Sequence, residues 1–149
     1  MEFGWNWITE RIALGGKFDA GTDAGDLLAR GITTVLNCRE EEDPDYVLKT
    51  FACLWPQPAQ LDDGKNRGID WFRQGVHWWK GFALDPSTKL YVHCTAGLNR
   101  SASMVYALLR TMGLSETDAR LLIVRHRWID AVGVRYAEEV DTYLKAGPI

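Results

Sequence analysis

Residues 93–101 read HCTAGLNRS. The apolar run Leu90-Tyr91-Val92 leads into them, and ASMVYALLRTMG, residues 102–113, leads out. The first run, opened by Lys89, has the composition and length of a buried strand. The second has helical spacing of apolar residues from Ser101 and stops at Gly113, a natural C-terminal stop. A strand therefore ends on a His-Cys pair and a helix begins beside an Arg-Ser pair. Such a loop sits at the carboxyl end of a strand, where open α/β sheets bind their ligands.

The loop's chemistry follows from that placement. The first turn of a helix carries N–H groups without intrahelical partners and the positive end of the helix dipole. A loop entering it can wrap its amides around an anion. Gly97 permits a tight bend and close approach of backbone to ligand. Arg100 supplies a planar fork that grips two oxygens of a phosphate. Cys94 faces the same positive field. An ordinary thiol titrates near ~8.5, and helix N-termini or nearby cations bring it to roughly 3.5–7.5. A pocket that binds phosphate thus also makes Cys94 a thiolate nucleophile directed at phosphorus.

The rest of the chain is ordered around this loop. WITERIALGG (7–16) alternates and stops at Gly15-Gly16, as a strand and turn. DAGDLLARG (23–31) is a short helical pattern closed by Gly31, and ITTVLNC (32–38) is a β-branched buried strand. REEEDPD (39–45) reads as a polar loop and FACLW (51–55) as another short strand. QLDDGKNRG (60–68) is loop-like. WFRQGVHWWKGFAL (71–84) places Trp71, Phe72, Val76, Trp79 and Phe82 or Ala83 near helical spacing. Ser115 opens a further helix, to about Arg125, with Asp118 in the capping-box position. Tyr136, Val140, Tyr143 and Leu144 mark a last amphipathic helix. Strands alternating with helices predict an α/β sheet with helices on both faces.

The totals narrow the functional class. One domain covering residues 1–149 is the natural size reading. Hydrophobic residues make up 46% and charged residues 25%, and the formal charge is −3, so no general affinity for nucleic acid or anionic membrane is expected. No apolar run approaches a spanning helix and no signal-peptide layout opens the chain, which predicts a cytoplasmic protein. Three cysteines (Cys38, Cys53, Cys94) without a CxxC pair argue against a disulfide scaffold or structural zinc. The seven tryptophans are expected mainly in the core or lining a groove.

His-Cys-x-x-Gly-x-x-Arg-Ser, residues 93–101, resembles the signature of the cysteine-dependent dual-specificity and protein tyrosine phosphatases. RIALGGKFDA and LLARGITTVLNC look like the amino-terminal half of the small dual-specificity members. LSETDARLLIVRHRW looks like the segment after the loop helix, with Trp128 where a Pro is usual. The likeness runs from about residue 7 to 145. It implies the phosphatase fold, an α/β fold with a central, mostly parallel sheet of four to five strands flanked by helices, and a two-step reaction on a phosphorylated protein or peptide, without metal or cofactor. Cys94 would attack phosphorus. Arg100 and the amides of Thr95, Ala96, Gly97, Leu98 and Asn99 would hold the phosphoryl oxygens. Ser101 would hydrogen-bond the departing thiolate, and His93 would organise the loop.

The resemblance also implies a general acid some thirty residues before the cysteine. Asp62 lies 32 positions before Cys94 and Asp63 lies 31. Asp62-Asp63-Gly64 resembles the Asp-x-Gly acid loop of the tyrosine phosphatases, and counting back from Phe72, Val76 and Trp78 lands on Asp62. Asp63 remains the alternative, and a solvated turn is what these residues would be without the spacing.

Other features are assigned plainer roles. His77 and His126 are surface or helix-packing residues. Cys38 and Cys53 are buried packing residues, although some relatives protect the nucleophile by a disulfide with a second cysteine. Glu40-Glu41-Glu42-Asp43 is a solvated loop that would discourage very anionic substrates if it bordered the pocket. Three functions remain open: a protein phosphatase working as a monomer; a phosphatase for RNA 5′-phosphate or a phosphoinositide; and a phosphate-binding module without turnover. The uncharged Thr95, Ala96, Leu98 and Asn99 depart from the phosphoinositide type. Thr95 and Asn99 resemble the RNA type, whereas Ala96 does not.

Overall fold

The computed structural model describes residues 4–18, 22–57, 59, 68–95, 100–127 and 140–141. In chain order the elements are β1 (Trp5–Trp7), β2 (Ile12–Gly15), α1 (Ala24–Ala29), β3 (Ile32–Asn37), α2 (Asp45–Thr50), β4 (Ala52–Leu54), α3 (Gly68–Ala83), β5 (Lys89–His93), α4 (Arg100–Thr111) and α5 (Glu116–His126). The five strands form one sheet in the order β1-β2-β5-β3-β4. Only β1 runs antiparallel; β2, β5, β3 and β4 are parallel neighbours. This is the α/β sheet with flanking helices that the strand–helix alternation predicts.

Side-chain alternation along the central strands divides the core in two. Leu14, Leu36, Leu90 and Val92 face α3, α4 and α5, where they join Phe72, Val76, Met104, Val105, Leu108 and Ile123. Ala13, Val35 and Tyr91, one residue out of phase, face α1 and α2 and join Phe18, Leu27, Val47 and Phe51. Strands buried on both faces have near-continuous apolar runs, which is why ITTVLN and KLYVH lack a polar face.

Helix boundaries follow from local chemistry. Asp23 caps α1 by accepting from the Gly25 N–H at 2.9 Å, and Gly31 leaves it with φ +88°, the left-handed conformation a glycine adopts freely. Ser115 caps α5 by accepting from the Asp118 N–H at 3.1 Å. The segment expected as one strand over 7–16 is two. Thr9 Oγ1 accepts from the N–H groups of Arg11 and Ile12, both at 3.0 Å, and folds the chain back between β1 and β2. Gly15 ends β2 rather than forming the turn. A Cβ there would lie 2.6 Å from the Gly4 carbonyl oxygen.

The loop expected over 39–45 gives way at Pro44 to α2, which the polar composition concealed. Trp71 and Trp79 are buried, and Trp78 packs edge-on against Phe82, so this part of α3 is core as expected. The segment 60–67 and most of the expected last helix lie outside the described residues. Within the latter, Val140 is buried and Asp141 accepts from Tyr106 Oη at 2.9 Å.

Candidate active site

β5 is the middle strand of the sheet, and Cys94 is the first residue beyond its carboxyl end. Its neighbours in register are Gly15 and Asn37, each opposite His93. The Cys38 N–H donates to the His93 carbonyl at 2.7 Å, so the chain stays paired up to Cys94. On the other side the Lys17 N–H donates to the Thr95 carbonyl at 3.0 Å. The loop thus leaves the sheet from a fixed direction and is taken up again by α4 at Arg100.

That geometry brings Cys94, Arg100 and Ser101 together. Cys94 is 7% exposed and Ser101 is fully buried. The Sγ of Cys94 lies 3.0 Å from the Oγ of Ser101. Arg100 opens α4, and its side chain is 21% exposed. Thr95 is exposed at the start of the loop. Ala96, Gly97, Leu98 and Asn99 lie outside the described residues, as do Asp62 and Asp63.

His93, next to Cys94, is fully buried. Its Nε2 lies 2.9 Å from Asp43 Oδ2, with both side chains essentially out of solvent. The ring stacks on Tyr91 at 5.5 Å and meets Phe18 edge-on at 5.3 Å. Tyr91 is itself held by Gly16 and Thr22. The imidazole is therefore clamped on its faces and at one nitrogen, as an organiser of the loop would be.

The acidic run is not the solvated loop it resembled. Asp43 is the buried partner of His93, and Glu40 Oε1 accepts from Arg100 Nη2 at 2.9 Å. Glu40, Glu41 and Glu42 are all exposed as expected, with Glu41 reaching Arg39 at 3.6 Å. Glu40 and Asp43 are the site residues that sequence reasoning missed. The missed signal was their position: they follow β3, the strand beside β5, and so fall at the same end of the sheet.

α4 begins at Arg100, so the N–H groups of its first turn and the positive end of its dipole lie at Ser101, whose Oγ touches the Cys94 sulfur. Arg127, buried at the end of α5 and donating to Asn6 Oδ1 at 3.0 Å, has its ionisation pulled down by burial and held up by Tyr91 and Cys94. Cys38 behaves differently. Burial pushes its thiol well above the ordinary range, the neighbouring Cys94 adds to this and Arg100 opposes it. Cys53, half-buried, is pushed to about 11, first by burial and then by Asp43. None of the three cysteines is in a disulfide. His77 is exposed, and His126 bonds its own helix at Leu122. Among the described residues no group of three His, Cys, Asp or Glu side chains is placed to hold a metal ion, and no helix is long and apolar enough to cross a membrane.

No protein-family profile matches the chain. A protein-tyrosine-phosphatase, MKP1 of Arabidopsis thaliana, is 31% identical over 104 residues, 68% of this chain. The chain belongs to the dual-specificity and protein tyrosine phosphatase family. The match takes in 12% of the Arabidopsis phosphatase, so the chain corresponds to one portion of that relative. Solved structures share the fold across nearly the whole chain. Human tyrosine phosphatase-like serine/threonine/tyrosine-interacting protein superposes with a TM-score of 0.72 at 22% identity, covering 96% of this chain and 97% of its own. PTPMT1 in complex with PI(5)P superposes with a TM-score of 0.70 at 21% identity, covering 95% and 97%. The phosphatase-family sheet is the one that sets Cys94 at the end of β5.

Proposed function

We propose that this chain hydrolyses phosphate monoesters through a phosphocysteine, acting on phosphotyrosine in proteins and extending to phosphoserine and phosphothreonine. The observation that carries the reading is the Cys94 Sγ at 3.0 Å from the Ser101 Oγ, at the amino end of α4 where Arg100 begins the helix. A thiol with a hydroxyl partner, at a helix amino terminus beside an arginine, is suited to cycle between a thiolate and an S-phosphocysteine.

In the first step the Cys94 thiolate attacks phosphorus. The bond to the leaving oxygen breaks, and Asp62, or Asp63 in its place, donates a proton to that oxygen. Arg100 and the amides of residues 95–100 stabilise the charge on the three equatorial oxygens. In the second step the same carboxylate takes a proton from water, water attacks phosphorus, and the S–P bond breaks. Ser101 donates its hydroxyl hydrogen to the departing thiolate. Phosphate leaves and the thiolate is restored. The partner is a phosphorylated protein or peptide, met by a single copy of the domain spanning residues 1–149. The three thiols fit a reducing compartment such as the cytosol.

A second reading, hydrolysis of a phosphoinositide, is favoured by the PTPMT1 neighbour, whose structure holds PI(5)P. Against it, Glu40 lies against Arg100 with its side chain 54% exposed, and the adjoining Glu41 is 81% exposed, acidic groups that would repel a polyanionic headgroup. Release of phosphate from a panel of phosphopeptides, phosphoinositide micelles and 5′-triphosphate RNA tests the choice. Preference for phosphotyrosine peptides, abolished by Cys94→Ser, is expected. Preference for the lipid or the RNA would replace the protein substrate, and binding without turnover on every member would leave a phosphate-binding module.

A further inference from the structure

A second concave site lies at the end of the sheet away from Cys94. A cavity of about 900 Å³ opens where β5 begins, beside the turn that joins β1 to β2. Trp7, Ile8, Pro86 and Leu122 give it apolar walls, and Arg30, Lys89 and His126 add basic groups. Lys89 and His93 are the two ends of β5, a strand of five residues. At about 3.3 Å per residue, the cavity and the catalytic loop are roughly 15 Å apart along the strand. Sites for small molecules have this size and make-up: roughly 300–1,000 Å³, mostly apolar, with a few convergent polar groups. The charges show which small molecule fits. Lys89 is partly buried, and its ammonium stands 5.5 Å from the centre of the Trp7 ring. Its stem runs past Gly31, where an added Cβ would meet Lys89 Cδ at 3.5 Å and Nζ at 3.7 Å. Among the described residues no carboxylate pairs with it.

We propose that this cavity is a binding site for a small apolar carboxylate, whose anionic head pairs with Lys89 and whose body lies against Trp7, Ile8 and Leu122. The neighbouring groups support an anion. Arg30 gives its Nε to Asp26 Oδ1 at 3.2 Å and stands 5.4 Å from the centre of the Trp5 ring, with its side chain 54% exposed. The Nδ1 of His126 bonds the Leu122 carbonyl at 2.9 Å, which leaves Nε2 as its second polar atom. Arg11 adds charge but has its donors committed to the carbonyls of Phe82, Ala83, Asp85 and Thr88. Glu10 is the acid among the described lining residues, and it is exposed. Arg11, Arg30 and Lys89 against Glu10 leave the cavity positive. A hydrogen bond from an ammonium to a carboxylate is strong where water is partly excluded, and Lys89 has such a bond still to make. The apolar walls and Glu10 suit a single negative charge on an apolar body better than a dianionic phosphate. The site takes no part in the chemistry at Cys94 and stands whether or not that chemistry is as proposed above.

The test titrates the unaltered chain with 2-naphthoate and follows its backbone amides by NMR. Saturable shifts are expected at Trp7, Lys89 and Leu122, with Thr95 and Ser101 unmoved. The same Kd is expected in Cys94→Ser and in the presence of saturating vanadate. Lys89→Gln should weaken binding by roughly 10–100-fold, the worth of a hydrogen bond to a charged group, and Lys89→Arg should restore the greater part. A neutral probe makes the same comparison without any substitution. 2-Naphthalenemethanol keeps the body and lacks the charge, so it should bind the unaltered chain weaker than 2-naphthoate by a similar factor. Three results would overturn the proposal. Shifts centred on Thr95, Arg100 and Ser101 and lost under vanadate would mean that the anion enters the catalytic loop instead. Equal binding of the acid and the alcohol, or undiminished binding to Lys89→Gln, would mean that Lys89 recognises no carboxylate. No saturable shift at Trp7 or Lys89 would mean that the cavity is not a carboxylate site.

Discussion

The Oγ of Ser101 lies 3.0 Å from the Sγ of Cys94, although seven positions and the whole anion-binding loop separate the two residues in the chain. Ser101 is fully buried in the first turn of α4. It therefore cannot reach bulk water, and its hydroxyl hydrogen is directed to sulfur when the thiolate forms. A hydrogen bond to a charged group contributes about 1.5–3 kcal/mol.

The bond should matter most when sulfur is the leaving group. Ser101→Ala is expected to lower kcat for para-nitrophenyl phosphate by roughly 10–100-fold, as that energy implies. The first step should be less affected, so rapid mixing should reveal a burst of nitrophenol followed by slow turnover. A uniform loss without a burst would place Ser101 in substrate binding or folding instead.

The general acid should show itself through the leaving group. Asp62→Asn is expected to slow phosphotyrosine peptides by ~10²–10⁴-fold, the usual range for acid catalysis. An activated fluorinated aryl phosphate, which leaves readily as an anion, should be slowed far less. The alkaline limb of the pH–rate profile should flatten in the same variant. If Asp63→Asn shows these effects and Asp62→Asn does not, Asp63 is the acid. If neither does, the chain works without an acid from this segment and the non-protein substrates gain ground.

How far the sequence carried this account depends on the distance between interacting residues. Cys94, Arg100 and Ser101 were legible because strand, loop and helix are contiguous, so the motif carries its own geometry. β3, α3, β5 and α4 were legible from apolar spacing. α2 was not, since a six-residue helix with Asp45 and Lys49 on its surface has little apolar periodicity to show. Glu40 and Asp43 were hidden for a different reason. Each partner lies fifty or more positions away, Asp43 with His93 and Glu40 with Arg100. Only the parallel pairing of β3 with β5, which sets Asn37 opposite His93, brings an ordinary-looking acidic run to the loop that Cys94 opens.

Stability should decline on the alkaline side. Burial pushes Cys38 well above its ordinary value near 9.0, Cys53 to about 11 and Tyr106 to about 12. In the unfolded chain these groups lose their protons sooner than in the folded one, so the unfolded state binds fewer protons as pH rises. Their stabilisation is complete below the unfolded values and is lost as pH climbs through the folded ones. The melting temperature should therefore fall steadily from about pH 9 upward. Thermal denaturation between neutral pH and pH 11 measures it, and Cys38→Ala should soften the slope at its onset. A flat profile in the unaltered chain would mean that Cys38 is not held as a neutral thiol.

The central claim is that Cys94 forms a covalent bond to phosphorus. It is tested most directly by acid-quenching the protein during turnover of a phosphotyrosine peptide and measuring the mass of the fragment that contains residues 93–101. Ser101→Ala should accumulate the intermediate and makes the measurement easier. The account predicts one added phosphoryl group on Cys94, formed within the dead time of the burst and absent from Cys94→Ser. A phosphoryl group on His93, or turnover with no covalent adduct anywhere in the chain, would contradict it.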